Sequence, residues 1–103
     1  METVKTIEAS QFDSEILASD IPIIVDFYGA DCVVCDAVAQ WEVEMLPVRK
    51  IFLSYPTFEL AQRYHLRGIP TLIRFEDGEE TGRMAGSFSQ SGVQDFVSAS
   101  SNE

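Results

Sequence analysis

The run 23-IIVDFY-28 carries apolar residues at both alternating positions, and Asp26 is its one polar member. Such a run predicts a central strand covered on both faces, ended by Gly29 and Ala30. The period then changes. Val34, Val38, Trp41 and Met45 recur at steps of four, three and four, which places them on one face of a helix that begins at or just after Cys32 and stops at Pro47. Upstream, residues 4–7 predict a short strand, and the S-x-x-D signal of Ser10 and Asp13 opens a helix carrying Phe12, Ile16 and Leu17. Downstream, residues 50–53 read as a short strand. Pro56 and Thr57 open a helix with Leu60, Ala61 and Tyr64 along one side, and Gly68 closes it. After Pro70 come TLIRF, the turn pair Asp77-Gly78 and a more polar strand over 81–84, which together predict a hairpin. Ser89 caps a last helix with Val93, Phe96 and Val97 on its buried face, and the tail SASSNE frays.

The predicted order is βαβαβαββα, with no repeat, linker or low-complexity tract. Strands that alternate with helices give a parallel centre, and the terminal hairpin adds an antiparallel edge. The expected fold class is therefore α/β, a three-layer α/β/α sandwich occupying residues 1–103 as one domain. A length of 103 residues with 46% hydrophobic content suits one core. Charge narrows the partners. Seventeen acidic residues against seven basic ones give a formal charge of −10, which argues against nucleic acid or an anionic membrane surface, since both need clustered Lys and Arg. The N-terminal METVKTIEASQF lacks a basic segment followed by an apolar run, and no apolar stretch approaches the roughly 18 residues of a spanning helix. The expectation is a monomer in the cytoplasm.

The chain has two cysteines, Cys32 and Cys35, and their spacing decides what they are for. A bridge closing so short a loop contributes only about 2 kcal/mol by chain entropy, so it makes a poor staple. At the step from a strand into a helix, however, the first sulfur meets unpaired backbone N–H groups and the positive end of the helix dipole, which stabilise a thiolate. Cys32 is then the nucleophile. Cys35, about one turn inside the helix, can attack a mixed disulfide formed on Cys32, which makes it the resolving thiol. The bland alternative is a pair of ordinary buried cysteines. A zinc site would need about four ligands, and the candidates are these thiols, His65 and carboxylates, so no metal is expected. Asp26, in an apolar strand, is desolvated, which should raise its pKa toward the range where a carboxyl exchanges protons near neutrality. Its alternative is a carboxylate that only hydrogen-bonds locally.

FDSEIL near the start, VDFYGADCVVC, GIPTLIRFEDGE, and Gly86 followed by a final amphipathic helix together resemble the thioredoxin family over nearly the whole length. The resemblance implies a five-stranded mixed sheet with four helices and reduction of disulfide-containing client proteins by the dithiol. It also implies recharging by an NADPH- or ferredoxin-linked thioredoxin reductase. No bound cofactor is implied beyond the redox-active Cys32–Cys35 disulfide. Asp26 matches the buried aspartate held to accept and return the proton of the resolving cysteine, and Lys50 falls where the family often has a lysine near it. Pro70 matches the family's cis proline. The resemblance has it face the dithiol across a groove, leaving the Ile69 backbone to pair with an extended substrate segment. Ile69, Ala85 and Gly86 would form the docking surface with Val33 and Val34. Trp41 reads as a core residue and Tyr28, where the family usually has tryptophan, likewise; His65 is assigned no chemistry.

Departures from the family cluster at the dithiol. Asp31 stands where tryptophan is usual, Val33 and Val34 replace Gly-Pro, and Asp36 replaces a residue that is often lysine. The two acids should raise the Cys32 pKa and oppose the helix dipole. The span from Cys35 to Lys50 is also about seven residues shorter than usual, two helical turns, so the apolar stripe stays in phase with the sheet. The leading expectation is a protein disulfide reductase. Its rival is a thioredoxin-fold binding module or subunit for a specific partner, with the dithiol secondary.

Overall fold

The computed structural model describes residues 4–41, 47–54, 58–86 and 88–98. Its sheet contains β1 (Val4–Thr6), β2 (Ile23–Tyr28), β3 (Val48–Phe52), β4 (Thr71–Glu76) and β5 (Glu79–Ala85), in the spatial order β1-β3-β2-β4-β5. β1, β3 and β2 run parallel, whereas β4 is antiparallel to β2 and β5 to β4. Helices α1 (Val33–Trp41), α2 (Phe58–Arg63) and α3 (Gln90–Ser98) follow a first helical stretch built from a 3-10 turn, Ala9–Gln11, and a π-helical turn, Asp13–Leu17.

The both-sided apolar run of β2 explains the layering. Ile23, Val25 and Phe27 enter one core with Phe12, Ile16, Leu60 and Phe75. Ile24 enters the other with Val38, Val48, Leu72, Val93 and Val97. The first helical stretch and α2 thus cover one face and α1 and α3 the other. Each fully buried aliphatic side chain is worth roughly 1.5–3 kcal/mol. A one-residue slip of β2 would carry Asp26 into the Phe12 core and move every one of these contacts, so its register is fixed.

Local differences from the sequence reading have physical causes. β3 starts at Val48, fully buried and paired with both Val4 and Ile24; the intervening Arg49 hid it. β1 ends at Thr6, although the Ile7 amide still donates to the Lys50 carbonyl at 2.9 Å. Ser10 is not the first cap. The Glu8 amide donates to Gln11 Oε1 at 2.8 Å and the Gln11 amide to the Glu8 carbonyl at 2.9 Å, so the turn begins earlier. α2 is closed by His65 rather than Gly68. His65 takes φ 55°, its amide donates to the Gln62 carbonyl and the Leu66 amide to the Ala61 carbonyl, a Schellman arrangement completed by Leu66 packing on the core. The expected helix start at Pro56 and Thr57, and Met45 of the α1 stripe, lie outside the described residues.

The hairpin is as the sequence predicts. Asp77 and Gly78 both have positive φ, 55° and 81°, as a tight turn matched to strand twist requires. Ser89 caps α3, its Oγ accepting from the Gly92 amide at 3.1 Å. A Cβ at Gly78 would lie 2.9 Å from the Leu17 carbonyl oxygen, adding a backbone clash to the left-handed cost of about 1–2 kcal/mol. Gly78→Ala is expected to lower the melting temperature by about 5–15 °C, read by calorimetry.

Candidate functional site

β2 ends at Tyr28, and the chain turns through Asp31, whose φ of 53° bends it into α1. The Asp36 amide donates to the Cys32 carbonyl at 3.1 Å, which makes Cys32 the residue that opens the helix. The Cys35 amide points instead at sulfur, 3.1 Å from Cys32 Sγ. It is one of the N–H groups that a helix start leaves without an internal partner, and here it serves the position where a thiolate would carry its charge. Cys32 and Cys35 are joined as a disulfide, with their Cα atoms 5.1 Å apart. Cys32 is partly exposed and Cys35 is 3% exposed, so the first cysteine is open to solvent and the second is withdrawn from it. The carboxylate-bearing residues Asp31 and Asp36 are both exposed.

Asp26, 1% exposed, shares its sheet face with Ile24, the face that α1 and α3 cover. Its partner in β3 is Lys50, directly opposite in register, with Nζ 3.4 Å from Oδ2 and 4.7 Å from the centre of the Tyr28 ring. The ammonium is thereby held between a carboxylate and an aromatic face. Asp26 Oδ1 is buried with no hydrogen-bond partner among the described residues. An oxygen in that position gains more than most from a donor brought to it. Tyr28 is half-buried and belongs to neither core cluster; it meets Phe52 edge-on at 5.5 Å. The core role expected for it is replaced by this aromatic and cationic contact. Trp41 does pack against the α1 side of the core.

Beside the dithiol runs a groove of about 400 Å³, with Val34 of α1 on one side and Ile69, Pro70, Ala85 and Gly86 among the residues opposite. The Ile69–Pro70 peptide is cis. Thr71 fastens this loop by donating its hydroxyl to the Gly68 carbonyl at 2.7 Å. Ile69 leans over the end of β2 because position 29 lacks a side chain: a Cβ on Gly29 would lie 2.6 Å from Ile69 Cδ1. Gly86 has φ 93° in open space, so backbone conformation and not crowding calls for glycine there. Val33 is 82% exposed and does not line the groove, whereas Val34 does. Arg67, Thr71 and Phe88 line it too; the sequence reading missed them, although Arg67 and Thr71 closely flank the quoted GIP. His65 lies exposed at the end of α2. Among the described residues no three His, Cys, Asp or Glu side chains gather as a metal would require, and no helix is long and apolar enough to cross a membrane.

An accessible first cysteine with a withdrawn neighbour at a helix start is the arrangement that thiol–disulfide exchange uses, and it points to a thiol–disulfide oxidoreductase as the class of protein. The thioredoxin family profile matches residues 3–99. Thioredoxin of Mycobacterium tuberculosis is 33% identical over 82% of this chain and 77% of its own length. The chloroplastic thioredoxin M3 of rice (Oryza sativa subsp. japonica) is 31% identical over 80% of this chain, which spans 50% of that protein. Among solved structures, a single-site mutant thioredoxin from Halobacterium salinarum superimposes with a TM-score of 0.80, covering 97% of this chain and 92% of that one at 21% identity, which supports the fold alone. The chain belongs to the thioredoxin family. It is a protein thiol–disulfide oxidoreductase.

Proposed function

We propose that Cys32 attacks, Cys35 resolves and Asp26 accepts and returns the proton of Cys35, in one thioredoxin-like domain acting as a monomer in the cytoplasm. The observation that carries this reading is the asymmetry of the two sulfurs: Cys32 is reachable and faces the Cys35 amide at 3.1 Å, while Cys35 is 3% exposed. In the reduced protein the Cys32 thiolate attacks one sulfur of a client disulfide, forming a mixed disulfide and expelling a client thiolate. Cys35 gives its proton to the carboxylate beneath it and attacks Cys32 Sγ, forming the Cys32–Cys35 disulfide and releasing the second client thiolate. Two electrons pass to the client, and a thioredoxin reductase returns two to the chain. The client segment lies extended in the groove against Ile69, with Val34, Pro70, Ala85 and Gly86 beneath it and Val33 at its edge.

Insulin reduction tests this reading, driven by dithiothreitol in one arm and by NADPH with a thioredoxin reductase in the other. Wild type is expected to accelerate precipitation of the insulin B chain in both arms, and Cys32→Ser in neither. A wild type inactive with dithiothreitol removes the reductase reading. Activity confined to that arm instead points to an electron donor other than the reductase supplied.

A further inference from the structure

The chain has seven Lys and Arg side chains, and the six that are engaged isolate the seventh. Lys5 and Arg49 meet Glu15, Lys50 meets Asp26, Arg63 meets Asp13 and Glu59, and Arg83 meets Glu80. Arg74 donates to the Phe96 carbonyl at 2.7 Å and stacks on the Phe96 ring. Arg67 alone has no hydrogen bond or ion pair among the described residues, and it is exposed and lines the groove beside the dithiol. Acids outnumber bases seventeen to seven, so scarcity of carboxylates does not explain an unpaired guanidinium.

Resting on the disulfide reductase reading, we infer that Arg67 selects clients carrying an aspartate or glutamate close to the cysteine that Cys32 attacks. Its planar fork matches a carboxylate with two parallel hydrogen bonds, a geometry that a lysine cannot supply. Arg67 stands two residues before Ile69, no more than about 7 Å of backbone away. A side chain one or two residues from the attacked cysteine, on a segment passing Ile69, falls within its reach. Asp31 and Asp36, both exposed, flank the dithiol in sequence with the opposite sign; neither lines the groove, whose Ile69 wall is basic at Arg67. A client with its acid toward Arg67 is attracted there and escapes the two aspartates; the reversed placement forfeits that attraction and meets their repulsion. Because the net charge of −10 repels acidic molecules as a whole, the selection acts on where the acid lies and not on overall client charge.

The test uses two cyclic peptide disulfides of identical composition, differing only by exchange of one Glu and one Lys across the disulfide. Second-order rates of their reduction are measured by mixing with the pre-reduced full chain. Wild type is expected to prefer one peptide by roughly two- to five-fold, the range of an exposed ion pair, and to lose most of that preference at high salt. Arg67→Gln should flatten the ratio and Arg67→Glu should invert it, while the melting temperature stays near wild type. The same ratio in wild type and Arg67→Gln overturns the assignment of Arg67 alone. Reduction of neither peptide, nor of insulin, overturns the reductase reading and the selectivity with it.

Discussion

Cys35→Ala is expected to turn the protein into a trap, accumulating a covalent adduct with any client disulfide that it attacks. Everything the first step needs survives the substitution. Cys32 keeps its exposure, and the donor at 3.1 Å from its sulfur is the backbone amide of residue 35, which alanine also carries. Only the second step is lost, because no other thiol exists in the chain to displace the client. Alanine is the cleaner choice at a position 3% exposed, since a serine hydroxyl buried there without a partner costs about 1–3 kcal/mol. Intact mass spectrometry after mixing with a disulfide-bonded client should show a one-to-one adduct that dithiothreitol releases. The reciprocal Cys32→Ala variant should form no adduct at all, because the thiol it retains is buried. Adducts formed through Cys35 would show that the two sulfurs are not divided as the exposure difference implies, and steady turnover by Cys35→Ala would show that resolution comes from elsewhere.

What could be read from the sequence is what neighbouring residues determine between themselves. The dithiol, the strand beneath it and the helix it opens lie within 23–41, so period and spacing suffice to place Cys32 at a helix start and Asp26 in a covered strand. The hairpin at Asp77-Gly78 and the Ser89 cap are equally local, each set by two or three adjacent residues. Errors arise where another contact overrides a local signal. Ser10 loses the cap to a competing local signal, the Glu8–Gln11 pair, which closes the turn two residues earlier; Gly68 loses the helix end to a tertiary one, because Leu66 finds the core when His65 adopts the left-handed conformation. The groove was legible only through the family resemblance, since its walls come from α1, the 67–71 loop and the end of β5. Arg67 has no local signature beyond its place next to Gly68-Ile69-Pro70. Its interest comes from six other bases having found partners, a fact about the folded charge distribution and not about any stretch of sequence. Asp31 and Asp36 remain where the sequence put them, beside the dithiol, but their exposure leaves them open to screening and limits what they can do to Cys32.

Asp26→Asn is expected to slow the resolving step by about a hundred-fold near pH 7, the lower end of what a positioned acid or base contributes, without destabilising the fold. The first half follows from position: the carboxylate is 1% exposed on the face that α1 covers, and its Oδ1 has no hydrogen-bond partner among the described residues. An amide fills the same space and takes up no proton. The deficit should depend on pH with a definite sign. A thiol needs a base only while it holds its proton, and hydroxide takes over as pH rises, so the gap between variant and wild type should narrow toward the alkaline end. The stability half follows from the charge. Keeping a carboxylate buried costs several kcal/mol, and one ammonium at 3.4 Å offsets only part of that. Lys50, 16% exposed, can turn its head to water once the carboxylate is gone. Urea unfolding of the oxidised variant should therefore show a midpoint equal to or above that of wild type. Single-turnover rates of mixed-disulfide resolution, followed from pH 6 to 10, measure the other quantity. A variant that resolves normally at pH 7 would leave Asp26 a structural carboxylate. A constant deficit across the whole pH range, joined to a lowered unfolding midpoint, would mean that the substitution acted through the packing of α1 and not through a proton.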